Sequence, residues 1–227
     1  MVRNQYNEQL AELKSLLTEM GDLNSQAIAQ VVAALKSPAI PPRKEGELYG
    51  SVSVVRDIKR YENAVDEKES EIERLCLKLI IRQQPVASDL LFITSAMKMI
   101  TDMERIGDQA EDIAEIVAFL DGRQAENDAL LKEMAKAVIQ MVTESVDAYV
   151  KCDIMLAKKV IAADDVVDEQ FARVKQSLIG KIAADPADGE YALDLLMIAK
   201  YFERIGDHAT NIAEWVIFSI TGRHKEG

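Results

Sequence analysis

Apolar residues recur along this chain in steps of three and four, the period of a helix face, and strand-type alternation is nearly absent. Leu10, Leu13, Leu17, Met20, Ala27 and Val31 trace one such stripe, with Asn24 filling its single polar slot. The pattern predicts a long amphipathic helix over residues 4–36. Ser37-Pro38 and then Pro41-Pro42 end it, because proline lacks the N–H and clashes with the preceding turn. Residues 46–54 are rich in poor helix formers. A second helix is clear from Val55 and runs to Gln84, before Pro85. A third is predicted from Ser88, a candidate N-cap, to Leu120-Asp121, with Gly122 as its stop. A fourth covers 128–150. A fifth opens on Asp153 as its cap and ends at Ala184-Asp185-Pro186. A sixth runs over 188–220 to Gly222. Long helices with short connections favour antiparallel neighbours and an all-α architecture.

Two stretches of the third and sixth helices are nearly the same text. Glu104-Arg105-Ile106-Gly107-Asp108-Gln109-Ala110-Glu111-Asp112-Ile113-Ala114-Glu115 and Glu203-Arg204-Ile205-Gly206-Asp207-His208-Ala209-Thr210-Asn211-Ile212-Ala213-Glu214 lie 99 positions apart and agree at nine of twelve. The second and fifth helices also match, with 62–67 against 164–169, and Pro85 aligns with Pro186. A fixed period of this kind marks duplication. The repeated unit is a whole three-helix bundle: 1–123 forms the first and 124–227 the second, with the boundary in the short polar segment 122–127.

Charge narrows the partners. The chain of 227 residues carries a formal net charge of −12, with 48% apolar and 29% charged residues. Such a balance suits a soluble globular protein and disfavours binding to nucleic-acid phosphates. Cys76 and Cys152 are isolated, and His208 and His224 lack zinc-ligand spacing. No apolar run is long enough to span a bilayer, and the first ten residues lack a signal-peptide core. The expectation is a cytoplasmic protein that meets membranes only through partners.

The chemistry concentrates in four acid pairs of the form Glu/Asp-x-x-x-Asp: Glu62/Asp66, Glu104/Asp108, Asp164/Asp168 and Glu203/Asp207. Spacing of i and i+4 puts both carboxylates on one helix face, about 6 Å apart along the axis. Each pair is read as interrupting an apolar stripe. In the third helix that stripe is Met97, Thr101, Glu104, Asp108, Glu111, Glu115, Ala118; in the sixth it is Leu193, Leu196, Glu203, Asp207, Thr210, Glu214. Buried carboxylates need neutralising, and oxygen-only donors suit hard cations such as Mg, Ca, Mn or ferric iron. Gly107 and Gly206 stand beside the Asp of each pair, where a missing side chain admits an ion or a neighbouring helix. Glu111, Asp112 and Asn211 are further candidate ligands. The plainer alternative is a solvated acidic face. Arg105 and Arg204 are a third source of charge, but they lie about 100° round the helix from the adjacent Glu and look awkward as partners for their own pairs. His208, whose counterpart is Gln109, reads as a hydrogen-bonded surface residue rather than a ligand. Met97, Met99, Met103, Met134, Met141, Met155 and Met197 read as core filler.

The doubled Glu-Arg-Ile-Gly-Asp motif, with Ile-Ala-Glu following, resembles the PhoU family of phosphate-signalling regulators, and the resemblance extends from the first helix to Ile220. It implies two tandem three-helix bundles, commonly a homodimer. It also implies metal, in some members multinuclear iron or zinc, held by Glu62, Asp66, Glu104, Asp108, Asp164, Asp168, Glu203 and Asp207. The identity of the metal stays open among iron, zinc, Mn and Mg. The role implied is a regulatory adaptor. It would restrain the phosphate-starvation response by linking a phosphate ABC transporter to a sensor histidine kinase.

The competing reading is a carboxylate-rich metalloenzyme or metal store on a helical bundle. A ferritin-like form of it needs Glu-x-x-His, and Ile205 and Thr221 stand three residues before the two histidines instead. No Ser-His-Asp set, phosphate-cradling glycine loop or kinase motif is present. The expectation is therefore a non-enzymatic adaptor.

Overall fold

The computed structural model of the protein describes residues 2–36, 53–120 and 129–223. These form six helices: α1 (Val2–Lys36), α2 (Ser53–Gln83), α3 (Ser88–Val117), α4 (Ala129–Lys151), α5 (Ile154–Ala184) and α6 (Gly189–Thr221). There is no strand among the described residues. The predicted stop at Gly122 and the boundary between 123 and 124 lie outside them.

Local chemistry explains most of the ends. Asp153 caps α5 by accepting from the backbone N–H of Met155 and Leu156 at 2.9 and 3.0 Å. This satisfies two of the donors that a helix start leaves free. Asp185 and Pro186 close α5 and lead through one 3₁₀ turn, Pro186–Asp188, into α6. Gly222 ends α6 at φ 67°, a left-handed conformation that glycine adopts without strain. The start of α3 differs from expectation. Ser88 is its first helical residue, and the flanking Ala87 takes φ 46° with no side-chain cap.

Helices α1, α2 and α3 pack on one another, as do α4, α5 and α6. The two bundles meet where α3 lies against α6 and α1 against α4, and buried residues of both join in one continuous apolar core. Gly21 marks the α1–α4 approach: a Cβ there would stand 3.0 Å from Val146 Cγ2. Tyr149 of α4 stacks on Phe92 of α3, with ring centroids 4.3 Å apart, and its hydroxyl donates to the Phe92 carbonyl. Lys14 of α1 sits over the same Phe92 ring and donates to the Val150 carbonyl at 2.9 Å. Helices α3 and α6 run antiparallel. Asp102 meets His208 and Asn211, while Asp112, farther along α3, acts on Tyr201.

Candidate functional site

Because α3 packs on α1, α2 and α6, its buried arc is wide. Ile93, Ala96, Ile100, Met103, Ile106, Gly107, Ala110, Ile113, Ala114 and Val117 fill it. The stripe read from sequence through Met97, Thr101, Glu104 and Asp108 is therefore misphased, and so is the α6 stripe. Leu193 is exposed, and Ala192, Leu195, Ala199, Phe202, Ile205 and Ala209 are buried. A helix buried on several sides has too many apolar positions for periodicity to fix its phase. The acids stand at the edge of the buried arc. Glu62, Glu104, Asp108, Asp164 and Glu203 are half-buried, and Asp66, Asp168 and Asp207 are exposed. Between the acids of α2 and of α5, Val65 and Val167 carry the core contact.

Two of the expected methionine fillers also face solvent. Met155 follows the exposed α5 cap and Met197 lies on the outer side of α6. Met99, Met103, Met134 and Met141 are buried as expected. Cys76 is buried and Cys152 exposed, both as free thiols; burial pushes the Cys76 thiol up to about 12.

The pairs do come together within each repeat. In the first, burial raises the pKa of Asp66, and the charges of Glu62 and Asp108 add to the rise. Glu104 is raised by burial and then by Asp108, Glu69 and Asp66. Glu69, which the motif does not include, is raised by burial and by Asp66, Glu73 and Asp108. In the second repeat Asp164 is raised by burial, Asp207 and Asp168, and Asp207 by burial, Glu203 and Asp168. Each repeat thus holds one patch where carboxylates from two helices repel one another.

Resident cations offset part of that repulsion. Lys59 bridges Glu62 at 3.0 Å and Glu111 at 2.9 Å. Arg105 reaches Asp108 at 3.2 Å and Glu104 at 3.5 Å. The sequence-based view of Arg105 as an awkward partner is thus corrected. The i,i+3 spacing and a long flexible arm overcome the angular offset. Lys200 pairs with both carboxylate oxygens of Glu203 and lies over the Phe171 ring. Arg204 instead acts across the α3–α6 contact on Asp112, which is itself raised by burial and by Glu115. Asn211 donates to Asp102 at 3.0 Å, and so joins the helix contact rather than the acid patch.

The donor set is all oxygen and carries excess negative charge, which suits a hard cation. Gly107 and Gly206 back the two patches. Among the described residues, however, no three Asp, Glu, His or Cys side chains converge closely enough to close a coordination sphere. The residues suit a cation in donor chemistry and charge, and Lys59, Arg105 and Lys200 already neutralise part of that charge.

Two acid patches on a duplicated three-helix bundle define a class of paired-repeat helical proteins. A PhoU domain matches residues 45–117 and 131–216, and the chain belongs to the PhoU family. It is 34% identical to a phosphate-specific transport system accessory protein PhoU homolog of Clostridium acetobutylicum, over 100% of this chain and 99% of that one. A homolog of the same description from Pseudomonas aeruginosa is 29% identical over 97% of this chain and 87% of its own length. The crystal structure of PhoU from Pseudomonas aeruginosa superposes with a TM-score of 0.83 at 30% identity, covering 96% of this chain and 100% of that one. A phosphate transport system regulatory protein PhoU from Streptococcus pneumoniae gives 0.83 at 24% identity, over 98% of this chain and 100% of that one, a likeness of fold.

Proposed function

We propose that this protein is a cation-binding accessory and regulatory subunit of a phosphate-specific transport system, and not an enzyme. Family membership over both repeats, with a relative named as a transport accessory protein along the full length of both chains, carries the transport reading. No described helix is long and apolar enough to cross a membrane, so contact with a transporter would be made from its surface. The finer role is a link between that transporter and a sensor histidine kinase at the cytoplasmic face. The net charge of −12 favours basic partner surfaces.

Glu62, Asp66, Glu104 and Asp108 would hold a cation in the first repeat, and Asp164, Asp168, Glu203 and Asp207 in the second. A hard cation would supply the positive charge that relieves the mutual repulsion of these carboxylates. The support is the convergence of acids from two helices in both repeats.

Two experiments test this. Tagged full-length protein should recover a phosphate-transporter component from solubilised membranes, less so at high salt, since exposed charges are screened over about 8 Å at physiological ionic strength. Recovery of no transporter or kinase component at any salt or phosphate level would overturn the adaptor reading. Changing Asp108 and Asp207 together to Asn should lower the Mn²⁺ retained after dialysis, and unchanged retention would remove these residues as ligands.

A further inference from the structure

Asn24 is fully buried in α1, in the one polar slot of that helix's apolar stripe. Its amide Nδ2 donates to the Met103 carbonyl at 2.8 Å. Its Oδ1 meets no donor among the described residues. A buried amide oxygen left unpaired loses its hydration without a replacement, so an apolar residue would serve packing better. The position of that oxygen is informative. A Cβ on Gly107 would lie 3.4 Å from Asn24 Oδ1 and 3.4 Å from Val65 Cγ1. Asn24 therefore touches or adjoins Val65, Met103 and Gly107, the residues that immediately precede Asp66, Glu104 and Asp108. The missing side chain at Gly107 leaves the oxygen against the turn of α3 that carries two of the acids.

The second repeat lacks this group. A Cβ on Gly206 would meet Val167 Cγ1 at 3.5 Å, Asp164 Oδ1 at 3.6 Å and the Met141 methyl at 3.8 Å. Val167 is the counterpart of Val65, so Met141 of α4 stands where Asn24 of α1 stands. A thioether arm replaces an amide oxygen, and a hard cation prefers the oxygen.

We propose that Asn24 supplies a neutral oxygen to the first acid patch, so that the two repeats offer a hard cation unequal ligand sets. This rests on reading the acid patches as cation sites. An uncharged oxygen adds attraction without adding to the carboxylate repulsion already there. Directly or through a bound water, it acts from the third helix of the bundle, where the acid-pair motif has no residue.

Calorimetric titration of metal-stripped, full-length protein with Mn²⁺ tests it. Wild type should show two classes of site. Asn24→Ala should weaken only one of them, by about tenfold, the scale of losing a supporting group at a metal site. Asn24→Asp keeps the shape and adds a charge. It should bind Mn²⁺ more tightly than wild type, and its lower melting temperature without metal should recover when Mn²⁺ is added. If Asn24→Ala does not fold, the Asn24→Asp variant alone decides. Unchanged Mn²⁺ affinity in Asn24→Ala, or an Asn24→Asp variant that Mn²⁺ neither binds more tightly nor restabilises, would overturn the role of Asn24 while leaving the acid patches as cation sites. Absence of Mn²⁺ binding by wild type would overturn both.

Discussion

Asp102 of α3 presents Oδ1 to two groups of α6 at once: His208 Nδ1 at 2.9 Å and Asn211 Nδ2 at 3.0 Å. Both α6 residues sit where the second motif copy departs from the first. The sequence differences between the copies thus serve the contact between the repeats. Changing His208 to Gln, the residue at the matching position 109, should destabilise the fold modestly, since Asn211 keeps Asp102 partnered. A double-mutant cycle with Asp102→Asn, read from denaturant midpoints, should give a coupling of about 0.5–1.5 kcal/mol. Strictly additive effects would mean the pair contributes nothing to joining the repeats.

Tyr149→Phe isolates one hydrogen bond at the α3–α4 contact. The stacked ring on Phe92 is retained, and the Phe92 carbonyl lies within helix α3, so its loss of the hydroxyl leaves a carbonyl still placed in the helix ladder. The expected cost is about 0.5–1.5 kcal/mol, measured by chemical denaturation. A cost as large as that of Phe202→Ala in the core, about 3–5 kcal/mol, would show that the hydroxyl organises more than this contact.

Glycine positions separate packing from propensity. Alanine at Gly21 would place its Cβ 3.0 Å from Val146 Cγ2, so the branched Val146 side chain must give by a few tenths of an ångström. A net loss of about 1–3 kcal/mol is expected despite alanine's better helix propensity. At Gly206 the nearest atoms stand at 3.5 and 3.6 Å, ordinary contact, so Gly206→Ala should stabilise the metal-free protein by roughly up to 1 kcal/mol. Thermal melts of the two variants should move in opposite directions.

The acid patches set a pH signature. Burial and neighbouring carboxylates raise Asp66, Glu69, Glu104, Asp164 and Asp207 in the folded chain. Such groups hold their protons more tightly folded than unfolded. Their contribution is full below the unfolded value of about 4 and is lost as pH rises through the raised folded values. Glu19, lowered by its hydrogen bond to Lys68, works in the opposite sense, losing its contribution as pH falls, and so does Glu144, lowered by Lys159 and Gln140 against its burial. With the raised acids in the majority, the metal-free protein should unfold at lower denaturant at about pH 7 than at about pH 5. Saturating Mn²⁺ should remove most of that difference. A midpoint that rises with pH in the metal-free protein would contradict the repulsion described here.

Helix number, order and most helix ends were legible from the chain alone, because they depend on local chemistry. Pro186 and the left-handed Gly222 close their helices through their own backbone, and Asp153 caps α5 through atoms two and three residues away. The duplication and the eight paired acids were legible for the same reason, as spacing along one chain. What lay beyond reach was everything set by packing between helices. The phase of the α3 and α6 stripes depends on how many neighbours each helix has. Arg105 folds back on its own acid pair while Arg204 serves α3, a difference between identical motif residues made by the helix that each one faces. The same holds for Asn24, whose polar slot shows in the sequence but whose place beneath the first acid patch arises only when α1 closes on Gly107 and Val65. Local rules act within a few residues of backbone, whereas the contacts of Arg204 and Asn24 join residues far apart in sequence, and tertiary packing alone chooses among the rotamers and helix faces that local rules leave open.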